Sequence, residues 1–293
     1  MELTHVHTLN IRGVLSVSKR IILARYWHFI SLSLFFLPLF ISPTLIHRLS
    51  YQPFTHNHLI TYLVTILVFV LALCATGTIT YSTHHAFFGE PITFLDSLKS
   101  LTFSFFPLAF TAIIAYVLIV LISITFLMLV SAALMLVQSL VFVIDYNSVY
   151  FFWFSAIMGA ILIAIVIYFY VEWSLAFVVV MVESKWGFSA LMRSAYLVKG
   201  MRSVSLLVIL YFGLCGAGFV LICSTSFNNG WPFGLLVFNT MLASFFLMMC
   251  LLRLTAANTV LYNYCKALHS ELELEVGQGF VHEYMNLPSG DGW

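Results

Sequence analysis

Residues 101–144 read LTFSFFPLAFTAIIAYVLIVLISITFLMLVSAALMLVQSLVFVI, without a single Asp, Glu, Lys, Arg or His. About 20 apolar residues are enough for a helix to cross the roughly 30 Å of hydrocarbon in a bilayer. This stretch is longer than one span requires, yet it is short for two spans and a turn. We expect one tilted span, kinked near Pro107, and then an apolar segment that ends in a turn at Asp145–Ser148. A re-entrant segment before that turn is the alternative.

The composition of the whole chain is that of a membrane protein. Of the 293 residues, 62% are hydrophobic and 8% are charged, whereas about 25% of a soluble domain is charged. This composition excludes a water-soluble fold. The net charge of +1 gives no general attraction for nucleic acid. Residues 1–10 lack an apolar core, so we expect a first span that serves as an uncleaved anchor.

Six hydrophobic stretches predict an all-α, polytopic fold with six transmembrane helices. The predicted spans are Trp27–Ile46, Leu59–Tyr81, Leu101–Val130, Tyr150–Val182, Val204–Cys223 and Phe233–Tyr264. We assign residues 1–265 to this six-span transmembrane domain and residues 266–293 to a flexible cytosolic C-terminal tail.

The basic residues predict the orientation of the spans. With six spans, Arg48 alone lies on one side, and the other eleven of the twelve Lys and Arg residues lie on the opposite side. Loops rich in Lys and Arg face the cytosol. We therefore expect both termini to be cytosolic, in the endoplasmic reticulum, another endomembrane or the plasma membrane.

Segments 14–26, 90–101 and 183–202 precede the three pairs of spans and have the pattern of short interfacial helices. Thr93 and Asp96 have the spacing of a capping box. In the third segment, one helical face holds Phe188, Leu191, Ala195 and Val198, and another holds Lys185, Ser189 and Arg193. We predict an interfacial basic segment, formed by Lys185, Arg193, Lys199 and Arg202, that meets anionic lipid headgroups or cytosolic proteins. The alternative is a plain cytosolic connector.

The run VVVMVESKWGFSALMRSAYLVKGMRSVSLLVILYFG (residues 178–213) resembles a family pattern. It is similar to plant multi-pass membrane proteins of uncharacterised function, which are related to the membrane domain of glycerophosphoryl diester phosphodiesterases. The matching positions are Glu183, Gly187, Ala190, Leu191, Arg193, Ser194, Leu197, Lys199 and Gly200. GEPITFLDSLKS (89–100), TVLYNYCKALHSE (259–271) and VHEYMNLPSGDG (281–292) agree with it. The resemblance implies six spans and no established activity, because the catalytic domain of the bacterial relatives is a separate soluble domain that this chain lacks.

Two ionisable residues are predicted to lie within the hydrocarbon. Glu172 precedes Glu183 by eleven residues, and Arg253 precedes Lys266 by thirteen, so both lie roughly 15–20 Å from the same membrane edge. An unpaired charge there costs at least about 2.5–3.5 kcal/mol. The pattern predicts an intramembrane ion pair between Glu172 and Arg253. A proton- or ion-coupled site and two side chains that reach the interface independently are the alternatives.

No cofactor, metal or catalytic site is predicted. His47, His56, His58, His84 and His85 have no Cys, Asp or Glu at ligand spacing, and the five cysteines form no disulfide pattern. The glycines at 213, 216 and 218 do not have Gly-x-x-x-Gly spacing, so the sequence indicates no particular oligomeric state.

The sequence favours a non-enzymatic membrane protein that acts as a scaffold or membrane organiser through its cytosolic face. Charge and interfacial segments are concentrated on that face, and the outer loops are small. The alternative is a transporter of a small solute or lipid that uses Glu172 and Arg253. An intramembrane enzyme would need a convergent acid–base set, which the sequence does not contain.

Overall fold

The structure, a computed structural model, describes residues 11–36, 58–140, 148–228 and 233–269. All regular structure within these ranges is helical. The nine helices found there are α1 (Ile11–Ala24), α2 (Tyr26–Phe36), α3 (His58–Phe87), α4 (Phe94–Leu140), α5 (Val149–Glu172), α6 (Ala176–Glu183), α7 (Phe188–Val198), α8 (Arg202–Asn228) and α9 (Phe233–Leu268).

Five helical stretches in the described ranges are long and apolar enough to cross a membrane. They are Thr65–Phe87, Phe94–Ser139, Val149–Glu183, Arg202–Phe219 and Ser244–Leu268. Each overlaps one of the last five predicted spans, so the all-α class and a set of long apolar helices are confirmed. The first predicted span, Trp27–Ile46, is helical as far as Phe36 and then leaves the described residues. Six spans therefore stay a prediction.

Helix α4 is longer than the predicted span Leu101–Val130 at both ends. It begins at Phe94 behind the predicted capping box, in which Thr93 and Asp96 each receive a hydrogen bond from the backbone N–H of the other at 3.3 Å. The segment before the span is thus the first turn of α4 and not a separate interfacial helix. At its other end, α4 continues to Leu140, because its apolar sequence contains no helix stop after Val130.

The helices meet in a main core near one end of the long apolar helices. Eight of the nine helices, all but α2, contribute buried side chains to it, and those that are fully buried include Val14, Leu108, Val179, Leu197, Val208 and Tyr262. A smaller core joins α2, α3 and α9 through Phe29, Ile79 and Met248. Lipid tails are as apolar as these side chains, so close packing of the helices against one another, rather than removal from lipid, is what stabilises such a core.

Away from the main core, α4 and α5 present apolar side chains outward. Val117, Leu121, Ile157 and Ile163 are all more than half exposed. Exposed apolar surface of this extent would be a liability in water and suits lipid.

The C-terminal boundary of the predicted transmembrane domain, residue 265, falls inside α9, which continues to Leu268. Lys266, assigned from sequence to the tail, is buried, with its Nζ 5.7 Å from the ring centre of Tyr262. Residues 270–293 of the predicted tail lie outside the described residues.

Candidate functional site: an interrupted helix beside a cavity

The fourth predicted span, Tyr150–Val182, is not one continuous helix. Helix α5 ends at Glu172, Trp173–Leu175 form turns, and α6 begins at Ala176. The turn is held by short-range hydrogen bonds from Ser174 N to Val171 O, at 3.2 Å, and from Ala176 N to Trp173 O, at 3.0 Å. We call residues 172–175 the helix break. The sequence predicted an unbroken span here, because no Gly or Pro marks the interruption.

A hydroxyl group from another helix completes the backbone at the helix break, and a second contact joins two side chains. Ser194 of α7, fully buried, donates a hydrogen bond to Glu172 O at 2.7 Å and accepts one from Leu175 N at 3.2 Å. Ser174 and Ser205 share a hydrogen bond of 2.8 Å between their hydroxyl oxygens. Backbone groups that leave the helical ladder need partners where water is excluded, and Ser194 provides one for Glu172 O and one for Leu175 N.

The carboxylate of Glu172 pairs with Arg202, not with Arg253 as the sequence predicted. Its Oε1 lies 2.6 Å from Nε of Arg202, the first residue of α8. The Glu172 side chain is 7% exposed and that of Arg202 is 45% exposed. The Nε–H does not point at Oε1, so the contact is an ion pair without hydrogen-bond alignment. A negative charge at a helix C-terminus and a positive charge at an N-terminus both oppose the helix dipoles, so each residue depends on the other.

Arg253 lies on the exposed face of α9 and forms no ion pair with the residues that the structure describes. The sequence predicted equal depths for Arg253 and Glu172. Equal depth does not imply contact, because it does not define the direction in which each side chain leaves its helix. Arg202 was counted from sequence as a cation of the connecting segment, although it lies close to Glu172 in space.

A second charged cluster surrounds Glu183 at the end of α6. Nε of Arg193 donates to both carboxylate oxygens, at 3.2 and 3.0 Å, and Nζ of Lys185 lies 3.0 Å from Oε2. The phenol of Tyr262 donates to Oε1 at 2.9 Å. The Glu183 side chain is 9% exposed, so this cluster ties the α6–α7 hairpin to α9 with charge-assisted hydrogen bonds.

The turn between α6 and α7 depends on Gly187. Its φ is +66°, and a Cβ there would lie 3.1 Å from the Phe110 ring. Its N–H donates to Oγ1 of Thr111 at 2.8 Å. Only glycine adopts this backbone conformation readily and also allows α4 to approach so closely.

The predicted interfacial basic segment, with four cations, is half neutralised within the protein by two carboxylates. Lys185 and Arg193 pair with Glu183, and Arg202 pairs with Glu172, so Lys199 is the member that the structure leaves exposed without an ion pair in the described ranges. Contact between this segment and anionic lipid headgroups stays a prediction.

Helix α7 is amphipathic in a different register from the one predicted. Its buried face holds Ala190, Leu191, Ser194, Leu197 and Val198. Phe188, placed from sequence on the apolar face with Leu191, Ala195 and Val198, is 58% exposed and forms an outward stripe with Met192 and Tyr196. The buried face includes Ser194 because the helix break needs its hydroxyl, which a hydrophobicity pattern does not reveal.

A cavity of about 190 Å³ lies directly beside the helix break. Tyr170, Trp173 and Ser174 form one side of it, and α3, α4 and α9 supply much of the rest. Its polar lining consists mainly of Thr76, Thr80, Thr111, Ser174, Thr255 and Asn258. Among the described residues, no Asp, Glu, Lys, Arg or His lines this cavity. Neither Glu172 nor Arg253 reaches it.

The residues that sequence reasoning missed are the serines and threonines. Ser194 is one of the positions that match the family pattern, but the sequence assigned it no role. No sequence pattern marked Ser205, Thr80 or Thr111 as site residues. Serine and threonine are common in transmembrane helices, so only their position in the fold distinguishes them.

Comparisons with known proteins give one match. A family model described as Domain of unknown function (DUF8558) matches residues 41–276, well over half of the chain. No curated protein matches the chain. No solved structure matches it either.

Proposed function

This chain belongs to the family described as Domain of unknown function (DUF8558), and we propose that it is a multi-pass integral membrane protein that carries a small solute. The sequence favoured a scaffold and left transport as the alternative. The observation that carries the proposal is a cavity, mostly apolar but with several hydroxyl-bearing residues in its wall, next to a helix that is interrupted within a candidate span.

An interruption of a helix within the membrane restricts what can surround its backbone. Non-helical backbone is tolerated there only where it is buried in protein or lines a cavity. In many secondary transporters, discontinuous helices of this kind form the substrate site near the middle of the bilayer. Here Tyr170, Trp173 and Ser174, from around the helix break, line the cavity, which supports the same arrangement.

The Glu172–Arg202 pair serves as a latch in this proposal. It joins the end of α5 to the start of α8 at the helix break. Since both charges oppose the dipoles of their helices, separation of the pair leaves each helix end destabilised and favours its re-formation. A carrier alternates between two states, and in this proposal the closed pair holds one of them.

Uptake into proteoliposomes tests the proposal. We expect radiolabelled glycerol, myo-inositol or urea to enter faster than through protein-free liposomes, and Glu172→Gln to change the rate by at least about fivefold. Glu90→Gln is the matched control, because this acidic side chain is 58% exposed and lies away from the helix break. Uptake that never exceeds the protein-free rate, for these solutes or for choline and phosphate, would reject the carrier.

The exposed stripe on α7 supports a second function, that of a membrane-organising protein. Phe188, Met192 and Tyr196 face outward, and Lys185 and Lys199 flank the helix. Aromatic and basic side chains together suit the headgroup region of an anionic membrane. In nanodiscs of mixed phosphatidylserine and phosphatidylcholine, Lys185→Gln with Lys199→Gln should reduce the phosphatidylserine retained in native mass spectrometry. Equal retention by wild type and variant would contradict this function.

The orientation remains part of the proposal. The excess of Lys and Arg on one predicted side supports cytosolic termini in an endomembrane or the plasma membrane. Glycosylation acceptor sites added before residue 11 and after residue 269 should both stay unmodified in the endoplasmic reticulum. Modification of one terminus and not the other would require an odd number of spans.

A further inference from the structure

The cavity beside the helix break is mostly apolar and lies at the depth of the predicted spans. Every lining residue except Leu191 falls within one of those spans. Much of the wall consists of aliphatic and aromatic side chains, which include Ile119, Phe177, Ile209, Leu251 and Leu254.

Most hydroxyl groups of the lining residues are engaged by the protein or enclosed in the wall. Thr76 and Thr111 each donate to the backbone carbonyl four residues earlier, at 2.8 and 2.7 Å. Ser174 shares its hydrogen bond with Ser205 at 2.8 Å, and Oγ1 of Thr80 has essentially no accessible surface. The wall therefore presents chiefly carbon atoms, and an apolar cavity of this kind stays dry.

Tyr170 marks the open side of the cavity. It lines the cavity and is 51% exposed, whereas the other lining residues are buried or partly buried. Ala115 and Ile119 of α4 are also on the wall and are partly exposed, just beyond the point at which α4 leaves the main core. The cavity therefore continues into the outward apolar surface of α4 and α5, which suits lipid.

A cavity at this position is filled from the lipid rather than from water. Atoms around an empty void lose their dispersion contacts on one side, and such contacts are what holds helices together in a bilayer. A cavity of about 150 Å³ is large enough for benzene. The volume of about 190 Å³ therefore has room for roughly six to eight carbon atoms of a hydrocarbon chain.

We propose that this cavity binds part of the acyl chain of a membrane phospholipid, which enters from the bilayer past Tyr170. The rings of Tyr170, Trp173 and Phe177 and the aliphatic side chains of the wall supply its contacts. The inference rests on the proposed function in that the cavity lies within the bilayer, but it does not require that the lipid is carried.

Photochemical labelling of the full-length protein in nanodiscs tests the inference. The probe is a phosphatidylcholine with a diazirine near the end of one acyl chain, and a small water-soluble diazirine alcohol is the comparison. Mass spectrometry locates the adducts after irradiation. We expect the lipid probe to label Phe177 and Leu254 on the cavity wall, as well as Ile163, which is 61% exposed on α5. The water-soluble probe should label neither wall residue.

A larger side chain at Ala115 should exclude the acyl chain. Ala115→Phe should reduce the lipid adducts at Phe177 and Leu254, relative to those at Ile163 in the same sample, by at least about fivefold, because the ring occupies the cavity. Ala156→Phe is the matched control, since Ala156 is exposed on α5 and does not line the cavity, and it should leave this ratio unchanged. If Ala115→Phe does not fold, Ala115→Leu takes its place with the same expectation.

Three results overturn the inference: no lipid adduct at Phe177 or Leu254 in the wild type, equal labelling of these residues by the water-soluble probe, or an unchanged ratio in the Ala115 variant. Lipid adducts in the cavity together with failed solute uptake reject the carrier and keep the lipid site. Solute uptake without such adducts keeps the carrier and rejects the lipid site.

Discussion

Replacement of Ser194 by Ala should destabilise the protein by about 2–6 kcal/mol. The Ser194 hydroxyl donates to Glu172 O at 2.7 Å and accepts from Leu175 N at 3.2 Å, in a fully buried position that water does not reach. Each backbone group left without a partner costs about 1–3 kcal/mol, and two groups are affected. The loss of one oxygen atom changes little volume, so the packing contribution is small.

Equilibrium unfolding in mixed detergent micelles, followed by tryptophan fluorescence, measures this cost. Ser189→Ala is the control, since Ser189 lies on the same helix, is exposed and donates to Trp186 O at 2.9 Å within its own segment. We expect the control to remain within about 0.5 kcal/mol of wild type. Hydrogen exchange at the Leu175 amide should accelerate in Ser194→Ala alone. Equal unfolding free energies for the two variants would refute the assigned role of Ser194 at the helix break.

Three further substitutions test other parts of the site by the same unfolding assay. Gly187→Ala should cost about 1–3 kcal/mol, because φ is +66° and a Cβ would press on Phe110, whereas Gly213→Ala should have no comparable cost, since a Cβ there meets nothing within 4 Å. Glu183→Gln should cost about 2–4 kcal/mol, because two cations lose their shared carboxylate, and a loss below about 0.5 kcal/mol would show that the cluster contributes nothing. Arg253→Leu should change the free energy of unfolding by less than about 0.5 kcal/mol, and a much larger loss would indicate that Arg253 has a buried partner.

The helical class and most span positions follow from composition and hydrophobic run length. These quantities are properties of the chain itself, since about 20 apolar residues suffice whatever packs against them. The capping box at Thr93 and Asp96 was likewise predicted, because its partners are three residues apart and the interaction is local. Local rules therefore located the start of α4 but not its unusual length.

The contacts of the candidate site could not be predicted from the sequence, because they join residues that are distant along the chain. Arg202 and Glu172 are separated by the whole α6–α7 hairpin, and only the reversal of the chain there brings them together. The helix break is stabilised by Ser194, which lies 22 residues beyond Glu172. The local sequence contains no helix-breaking residue from which the break could be predicted. Hydrophobic periodicity grouped Phe188 with Leu191 and Val198 on one face, whereas the structure exposes Phe188 and buries the other two in the protein.

The length of α4 gives the protein a mechanical property. Its 47 residues extend over about 70 Å, more than twice the hydrocarbon thickness of a bilayer. Its first part packs in the main core as far as Ala112, and about 40 Å of exposed helix continues beyond it. A tilt of about 5° at the core would displace the far tip by about 4 Å. Thr111, which lines the cavity and holds Gly187, lies where this exposed length leaves the core, so we expect a displacement of the tip to act on the cavity wall.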